Sequence, residues 1–166
     1  GADEAARRLA HIPEFLDAAC VLCGRDYVLD EARREVLRGG RRLALIHEGG
    51  LWEVSGIAAA DYDTLLWMNR VVDLGDPLRS RVDLVVIGSI AVAPDGARVG
   101  RRHDPEEEMI RALVGTALLP AETPIATLVH EAQVYDRIPK RSASGLPVSL
   151  IVTPERVIRT GGEAVG

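Results

Sequence analysis

The stretch from Val82 to Glu108 most constrains what this chain can fold into. It opens with a nearly continuous apolar run, Val82 to Val92, which is typical of a strand covered on both faces of a sheet. Pro94, Asp95 and Gly96 follow as a turn signal: proline presets φ, aspartate bonds its own backbone, and glycine accepts a positive φ. We therefore expect a buried strand, a tight turn and a short second extended piece.

A helix start closes the same stretch. Asp104 stands where an N-cap belongs and Pro105 at the first helical position, and three glutamates follow where the helix dipole favours negative charge. We expect this helix to continue to about Ala117. The preceding loop, Gly100–His103, is basic, and basic side chains beside a helix N-terminus are typical of an anion or phosphate site. The alternative is a solvated loop that balances the glutamates.

Strands that alternate with helices predict an α/β fold with a mostly parallel sheet and helices on both faces. Strands are expected near residues 18–23, 42–47, 51–54, 82–92, 124–130 and 147–152, and an antiparallel edge strand over 157–160. Besides the helix after Asp104, we expect helices over Ala2–His11, Asp30–Arg38 with Asp30 as its N-cap, and Asp61–Asn69. We expect a single domain over residues 1–160 and a loose tail over 161–166.

Composition argues against several classes of protein. A hydrophobic fraction of 47% with 27% charged residues is typical of a globular protein and argues against disorder. The longest apolar run has about ten residues, whereas a membrane-spanning helix needs about 20. The net charge of −5 argues against a dedicated nucleic-acid binder with a broad basic face.

Cys20 and Cys23 form a Cys-x-x-Cys pair. A redox motif would place the pair at the start of a helix, and a zinc site would need two further ligands nearby. Here the pair lies in a segment that is predicted to be a strand, on which positions i and i+3 point to opposite faces. We therefore expect two separate core cysteines, reduced, in a cytoplasmic protein.

Polar side chains gather where the predicted strands end. In an open α/β sheet, ligands bind beyond the carboxyl ends of the strands. The loops expected to converge there contain Gly88, Ser89, Arg101, Arg102, His103, His130, Gln133 and Thr153. His130 ends an apolar strand at this edge, which makes it a candidate ligand-binding residue. The alternative is a strand-end histidine whose hydrogen bonds are satisfied locally.

Several segments, in order along nearly the whole chain, match the pattern of one known family. They are GADEAARRLAHIPEFLDAA, then Asp26 and Arg33, then VDLVVIGSIAV, ARVGR, TPIATLVHEAQVYDRIP and LPVSLIVTPERVIRT. Together they resemble the 5-formyltetrahydrofolate cyclo-ligase family, and in particular its methenyltetrahydrofolate synthetase domain-containing branch. In that branch a further segment usually precedes the residue that corresponds to Gly1.

The resemblance implies a fold of the ribose-phosphate isomerase and CoA-transferase type. It also implies conversion of 5-formyltetrahydrofolate to 5,10-methenyltetrahydrofolate with ATP and Mg²⁺, so folate and nucleotide are the expected partners. Arg101 and Arg102 would be catalytic. Only Gly100, Arg101 and, as the acidic position, Glu107 match the family's site residue by residue. Together with the loop residues above, the predicted sites are Gly100, Arg101, Arg102, His103 and Arg33 for phosphate, Gly88, Ser89, His130 and Gln133 for the folate, and Glu107 for the metal.

The chain departs from the family pattern directly after Gly100 and Arg101. There the family carries a glycine-rich loop with a tyrosine and an acidic residue, and this chain has Arg102–Glu107 instead. Glycines at such positions let the backbone approach phosphate closely. One hypothesis is a cyclo-ligase in which arginine side chains replace those contacts. The other is a relative that binds a nucleotide, a folate or a protein partner without turnover. RNA binding, known for related proteins with an RNA-recognition domain, is disfavoured by the acidic charge.

Overall fold

The structure is a computed structural model that describes residues 1–47, 49–55 and 75–160. Helices are α1 (Ala2–Leu9), α2 (Pro13–Leu16), α3 (Asp30–Arg38) and α4 (Pro105–Leu113), with 3₁₀ turns at Tyr27–Leu29 and Glu131–Gln133. Strands are β1 (Cys20–Cys23), β2 (Arg42–His47), β3 (Gly50–Val54), β4 (Asp76–Pro77), β5 (Leu84–Gly88), β6 (Ala91–Val92), β7 (Arg98–Val99), β8 (Ile125–Leu128), β9 (Leu150–Val152) and β10 (Val157–Arg159). The helix predicted over 61–69 and the tail predicted over 161–166 lie outside the described residues.

The main sheet has the strand order β10-β9-β8-β5-β1-β2-β3-β4. The five strands from β9 to β2 are parallel, whereas β3, β4 and β10 each run antiparallel to a neighbour. The predicted α/β class with a mostly parallel sheet is thus confirmed, and β10 is the predicted antiparallel edge strand. Within the described ranges, no helix has the length and apolar character needed to cross a membrane.

Helices cover both faces of this sheet, as predicted. On one face α1, α2 and α3 bury Leu9, Phe15 and Val36 against alternate residues of the central strands. On the other face α4 contributes Ile110 to a second apolar cluster. Burial of both strand faces explains why the central strands are almost continuously apolar, because neither face meets water.

The two cysteines of β1 lie in different clusters. Cys23 packs with the α1–α3 side and Cys20 with the α4 side, so the prediction that their thiols diverge is confirmed. Both are free and buried. Burial raises the pKa of the Cys20 thiol to about 11 and that of Cys23 to about 12. The thiols are therefore poor nucleophiles and serve as packing residues.

Three predicted helix ends are corrected by the structure. The helix α1 ends at Leu9 and not at His11. The sequence predicts Asp30 as an N-cap, but the 3₁₀ turn before it runs directly into α3, so Leu29 is the N-cap. Asp30 becomes the first helical residue, and its carboxylate pairs with Arg33. The helix α4 ends at Leu113 and not near residue 117, because Val114 leaves the helical region with ψ 128° and Gly115 follows with a positive φ of 91°.

The turn predicted after the long apolar run joins a short hairpin. The run itself is divided: β5 ends at Gly88, and β6 then pairs antiparallel with β7. Gly96 N–H donates to the Ala93 carbonyl at 2.9 Å, and Ala97 N–H donates to Asp95 Oδ1 at 3.0 Å. The turn is thus confirmed, and Gly96 holds the positive φ, 94°.

We expect Gly96→Ala to lower the free energy of unfolding by about 3 kcal/mol or more. Alanine would have to adopt the positive φ of 94°, which is unfavourable for a residue with a Cβ, and its Cβ would lie 2.5 Å from the Val148 carbonyl oxygen. Gly40→Ala is a matched control, because Gly40 has φ +72° but no atom within 4 Å of the added Cβ; its expected cost is about 1 kcal/mol. Urea denaturation measures both, and equal losses would contradict the role of the Val148 contact.

Candidate functional site

A cleft of about 510 Å³ opens at the carboxyl edge of the sheet. The loops that follow β1, β5, β7 and β8 line it. In the sheet, β1 lies between β2 and β5. The chain after β1 leads to α3 on one face of the sheet, whereas the chain after β5 leads to α4 on the other face. This is the topological switch point, where open α/β sheets bind their ligands.

The structure brings four of the predicted site residues together in this cleft. They are Gly88, Ser89, Arg101 and Gln133. Sequence reasoning did not assign six further lining residues to the site: Asp26, Tyr27, Val28, Ile90, Arg98 and Asp104. The remaining predicted site residues, Gly100, Arg102, His103, Arg33, His130 and Glu107, are not among those that line this cleft.

Arg98 forms the floor of the cleft and is only 2% exposed. Its Nε donates to Ser89 Oγ at 2.8 Å and its Nη2 donates to the Gly88 carbonyl at 2.8 Å. Its Nη1 donates to Glu107 Oε1. A buried arginine with each nitrogen engaged acts as a fixed connector, so Arg98 holds the β5 loop against α4.

Ser89 and Gln133 belong to the same hydrogen-bond network. The Ser89 hydroxyl also contacts Thr127 Oγ1 at 2.6 Å, and Gln133 Nε2 donates to the Ser89 carbonyl at 2.9 Å. These bonds fix the loop after β5 against the loop after β8. Because the network rigidifies the wall, a ligand would meet a preformed surface there.

Glu107 faces two guanidinium groups. Its Oε1 accepts from Arg98, and its Oε2 lies 3.5 Å from Arg111 Nη2. Both oxygens are thus engaged by cations, which does not fit a magnesium ligand. Within the described ranges, no three His, Cys, Asp or Glu side chains are grouped so that they could hold a metal ion.

The N-terminus of α4 is occupied by the chain itself. Asp104 Oδ1 accepts from Glu106 N–H at 3.0 Å and from Glu107 N–H at 3.4 Å, which confirms the predicted N-cap. The next amide, of Glu108, donates to the Asp104 carbonyl. An anion would therefore have to displace the Asp104 carboxylate before it could use these amides.

Arg101 is the exposed cation of the cleft. Its Nη2 lies 2.5 Å from Asp26 Oδ1, and this ion pair joins the loop after β1 to the loop after β7. The side chain of Arg101 is 67% exposed. Of the two arginines that line the cleft, Arg101 is therefore the one that can turn toward a ligand.

Four further predicted residues have other surroundings. Arg33 is buried, and it donates to the Gly24 carbonyl and pairs with Asp30. His130 N-caps a 3₁₀ turn, where its Nδ1 accepts from Ala132 N–H at 3.1 Å, as the alternative of a locally satisfied histidine describes. Arg102 and His103 are exposed. Their roles in phosphate or folate binding stay predictions.

Glu106 lies beside the inner end of the cleft and is expected to make stability depend on pH. Burial raises the pKa of its carboxyl above the ordinary value, and the charges of Asp104 and Asp26 add to this, while the Arg25 N–H opposes it. The folded protein thus holds this proton more tightly than the unfolded chain. The stability that this group contributes is complete below its ordinary pKa and is lost as pH rises through the higher folded value.

We therefore expect Glu106→Gln to gain stability relative to the natural protein as pH rises from about 4 to about 7. Urea unfolding at several pH values measures the difference. Glu108→Gln removes a charge from an exposed position of the same helix and serves as the control. If the difference in unfolding free energy between Glu106→Gln and the natural protein did not change with pH, or changed as much as it does for Glu108→Gln, Glu106 would not titrate in this way.

Comparison with curated proteins identifies relatives of a single kind. A mouse "methenyltetrahydrofolate synthase domain-containing protein" is 31% identical over a 174-residue alignment, which covers 97% of this chain and 46% of the mouse protein. The human protein of the same name is 39% identical over 95 residues, which covers 56% of this chain and 24% of the human protein. The chain is a homologue of the methenyltetrahydrofolate synthase domain-containing proteins. The family resemblance seen in the sequence is thus confirmed.

The chain spans less than half the length of these methenyltetrahydrofolate synthase domain-containing relatives. Among solved structures, an NMR structure of Aquifex aeolicus 5,10-methenyltetrahydrofolate synthetase matches with a TM-score of 0.64 at 18% identity, covering 96% of this chain and 80% of that one. The eIF2B beta subunit from Chaetomium thermophilum matches at 0.53 and 12% identity, covering 95% and 52%. At these identities the structures show a shared fold alone. No protein-family profile matches the chain.

Proposed function

We propose that this domain converts 5-formyltetrahydrofolate to 5,10-methenyltetrahydrofolate with ATP, and that the cleft at the switch point is its active site. The observation that carries the proposal is the position of the cleft. In a homologue of the methenyltetrahydrofolate synthase domain-containing proteins, it lies where α/β sheets bind ligands and presents the exposed cation Arg101.

The reaction needs no nucleophile from the protein. The formyl oxygen attacks the γ-phosphorus and ADP leaves. The second folate nitrogen then attacks the activated carbon and loses its proton to solvent, so that the ring closes, and phosphate leaves as the carbon–oxygen bond breaks. Catalysis of this kind depends on positioning and on stabilising negative charge. In the proposal Arg101 supplies the charge toward the phosphates, while Gly88, Ser89 and Gln133 form the wall against which the folate lies.

An apolar rim around the cleft supports a planar ligand. Tyr27 and Val28 on the β1 side are 85% and 43% exposed, and Ile90 on the β5 side is 56% exposed. Large apolar side chains gathered at a cleft mouth are typical of a binding surface. A pteridine ring or an aminobenzoyl group would cover these side chains and gain their burial.

A second candidate function, ligand binding without turnover, is favoured by a specific observation. Asp104 already occupies the amides at the start of α4, and Arg98 already holds Glu107. The amides of α4, which could contact phosphate, and the Glu107 carboxylate, which could contact a metal, thus already have partners within the chain. A protein in this state could still hold a folate against the apolar rim and the wall of the cleft.

Two measurements on the same preparation test both candidates. The absorbance of 5,10-methenyltetrahydrofolate is followed with 5-formyltetrahydrofolate and ATP, with and without magnesium, and binding of 5-formyltetrahydrofolate alone is measured by titration calorimetry. Turnover supports the proposed function. Binding without turnover supports the second candidate. Absence of both would exclude a folate function for this cleft.

A further inference from the structure

The ion pair across the mouth of the cleft points to a residue that sets its selectivity. We propose that Asp26 competes with anionic ligands for Arg101, so that an anion binds tightly only when the rest of its molecule also contacts the cleft. The inference deepens the proposed function, because it rests on Arg101 being the cation that meets the ligand.

The position of Asp26 is fixed by the backbone around it. Its carbonyl accepts from Leu29 N–H at 2.9 Å in the 3₁₀ turn that follows β1. Its carboxylate lies close over Gly88: a Cβ added to Gly88 would be 2.9 Å from Asp26 Oδ2. Glycine at the end of β5 therefore lets the Asp26 carboxylate reach into the cleft and meet Arg101.

The two arginines of the cleft differ in how easily they can exchange partners. Arg98 and Glu107 are both buried, with side chains 2% and 9% exposed, so separating them would leave a charge without a partner in the interior. The side chains of Arg101 and Asp26 are 67% and 28% exposed. An ion pair in contact with water contributes little stability, so a ligand can displace Asp26 from Arg101.

The surrounding charge makes that displacement selective. Asp104 lines the same cleft, and Glu106 lines the small hollow beside it together with Asp26 and Asp104. A free anion that approaches Arg101 thus meets other carboxylates. A ligand that also covers the apolar rim has further contacts to offset this repulsion, whereas a bare polyphosphate has none.

The experiment measures binding of sodium tripolyphosphate by titration calorimetry at low ionic strength, to the natural protein and to Asp26→Asn. The amide has the shape of the carboxylate without its charge. We expect Asp26→Asn to bind tripolyphosphate about fivefold more tightly or better, since it removes both the competing partner and a like charge. Adding Arg101→Ala to this variant should abolish the gain.

Glu14→Gln is the matched control, because Glu14 pairs with Arg159 through side chains that are 23% and 51% exposed, away from the cleft. An unchanged affinity in Asp26→Asn, an equal gain in Glu14→Gln, a gain that survives Arg101→Ala, or no binding by Asp26→Asn would each overturn the inference. The outcome is independent of turnover. A gain in a protein without turnover contradicts only the proposed function, and turnover with an unchanged affinity contradicts only this inference.

Discussion

Arg98→Met is expected to lower the free energy of unfolding by about 3–5 kcal/mol. The substitution removes the buried guanidinium and leaves Glu107, the Ser89 hydroxyl and the Gly88 carbonyl without their donor. The loss arises mainly from the Glu107 carboxylate, which keeps only Arg111 Nη2 at 3.5 Å as a charged partner. A buried charge that loses its main partner costs more than the contact itself contributed. Urea denaturation followed by circular dichroism measures the change.

The double variant Arg98→Met/Glu107→Gln separates this explanation from simple loss of packing. Once the carboxylate is neutral, much of the lost stability should return, because no buried charge is then left with Arg111 as its single charged partner. The exposed pair of Arg159 and Glu14 provides the comparison, and Arg159→Met should cost less than about 1 kcal/mol. If the double variant were as unstable as Arg98→Met, the charge pair would not be the reason for the loss.

Arg101→Ala should lower kcat/KM for 5-formyltetrahydrofolate and ATP by about 10²–10³. In the proposed function this side chain stabilises charge on the transferred phosphate, and no other exposed cation lines the cleft as the described residues form it. The free energy of unfolding should change by less than about 1 kcal/mol, because the pair with Asp26 is in contact with water.

Arg102→Ala tests the second arginine that the sequence predicts to be catalytic and serves as the comparison, since Arg102 is the neighbouring arginine and does not line the cleft. We expect it to retain most of the activity. An equal loss in the two variants would mean that the loop contributes a general positive charge. An unaffected Arg101→Ala would remove Arg101 from the mechanism. Both assays follow the absorbance of the product.

The features that the sequence predicts well are those decided by neighbouring residues. The Asp104 cap needs only the amides two and three positions ahead, and the turn at Gly96 needs only its own φ and the Asp95 side chain. The buried strands are visible because both of their faces are apolar. Such local signals also explain why the parallel sheet is predicted correctly.

The features that the sequence misses depend on contacts between distant segments. Arg98 appears as one more basic residue, but the fold surrounds it with Gly88, Ser89, Glu107 and Leu146. A usable signal was present: Arg98 stands between the apolar residues Ala97 and Val99 in the short extended piece that the sequence predicts after the turn. Asp26 and Tyr27 reach the cleft only because the 3₁₀ turn after β1 places them there.

The basic loop shows how a correct local prediction can have an unexpected chemical consequence. The sequence predicts a capped helix beside a phosphate-binding loop, and the cap is confirmed. The Asp104 carboxylate of that cap accepts hydrogen bonds from the amides that a phosphate would use. Among the described residues that line the cleft, Arg101 is then the positive group that a ligand can reach. In the proposed function, an anionic group of the ligand therefore has to replace the Asp26 carboxylate as the partner of Arg101.

Mapping of backbone amide chemical shifts during a titration with 5-formyltetrahydrofolate tests most directly whether this cleft is the ligand site. We expect the largest changes at residues 26–28, 88–90 and 98–104 and at Gln133. A second hollow, of about 380 Å³, lies at the opposite edge of the sheet near Thr123, Val148 and Thr160 and serves as the internal comparison. Changes centred on that hollow, or no changes at saturating ligand, would contradict the assignment of the cleft.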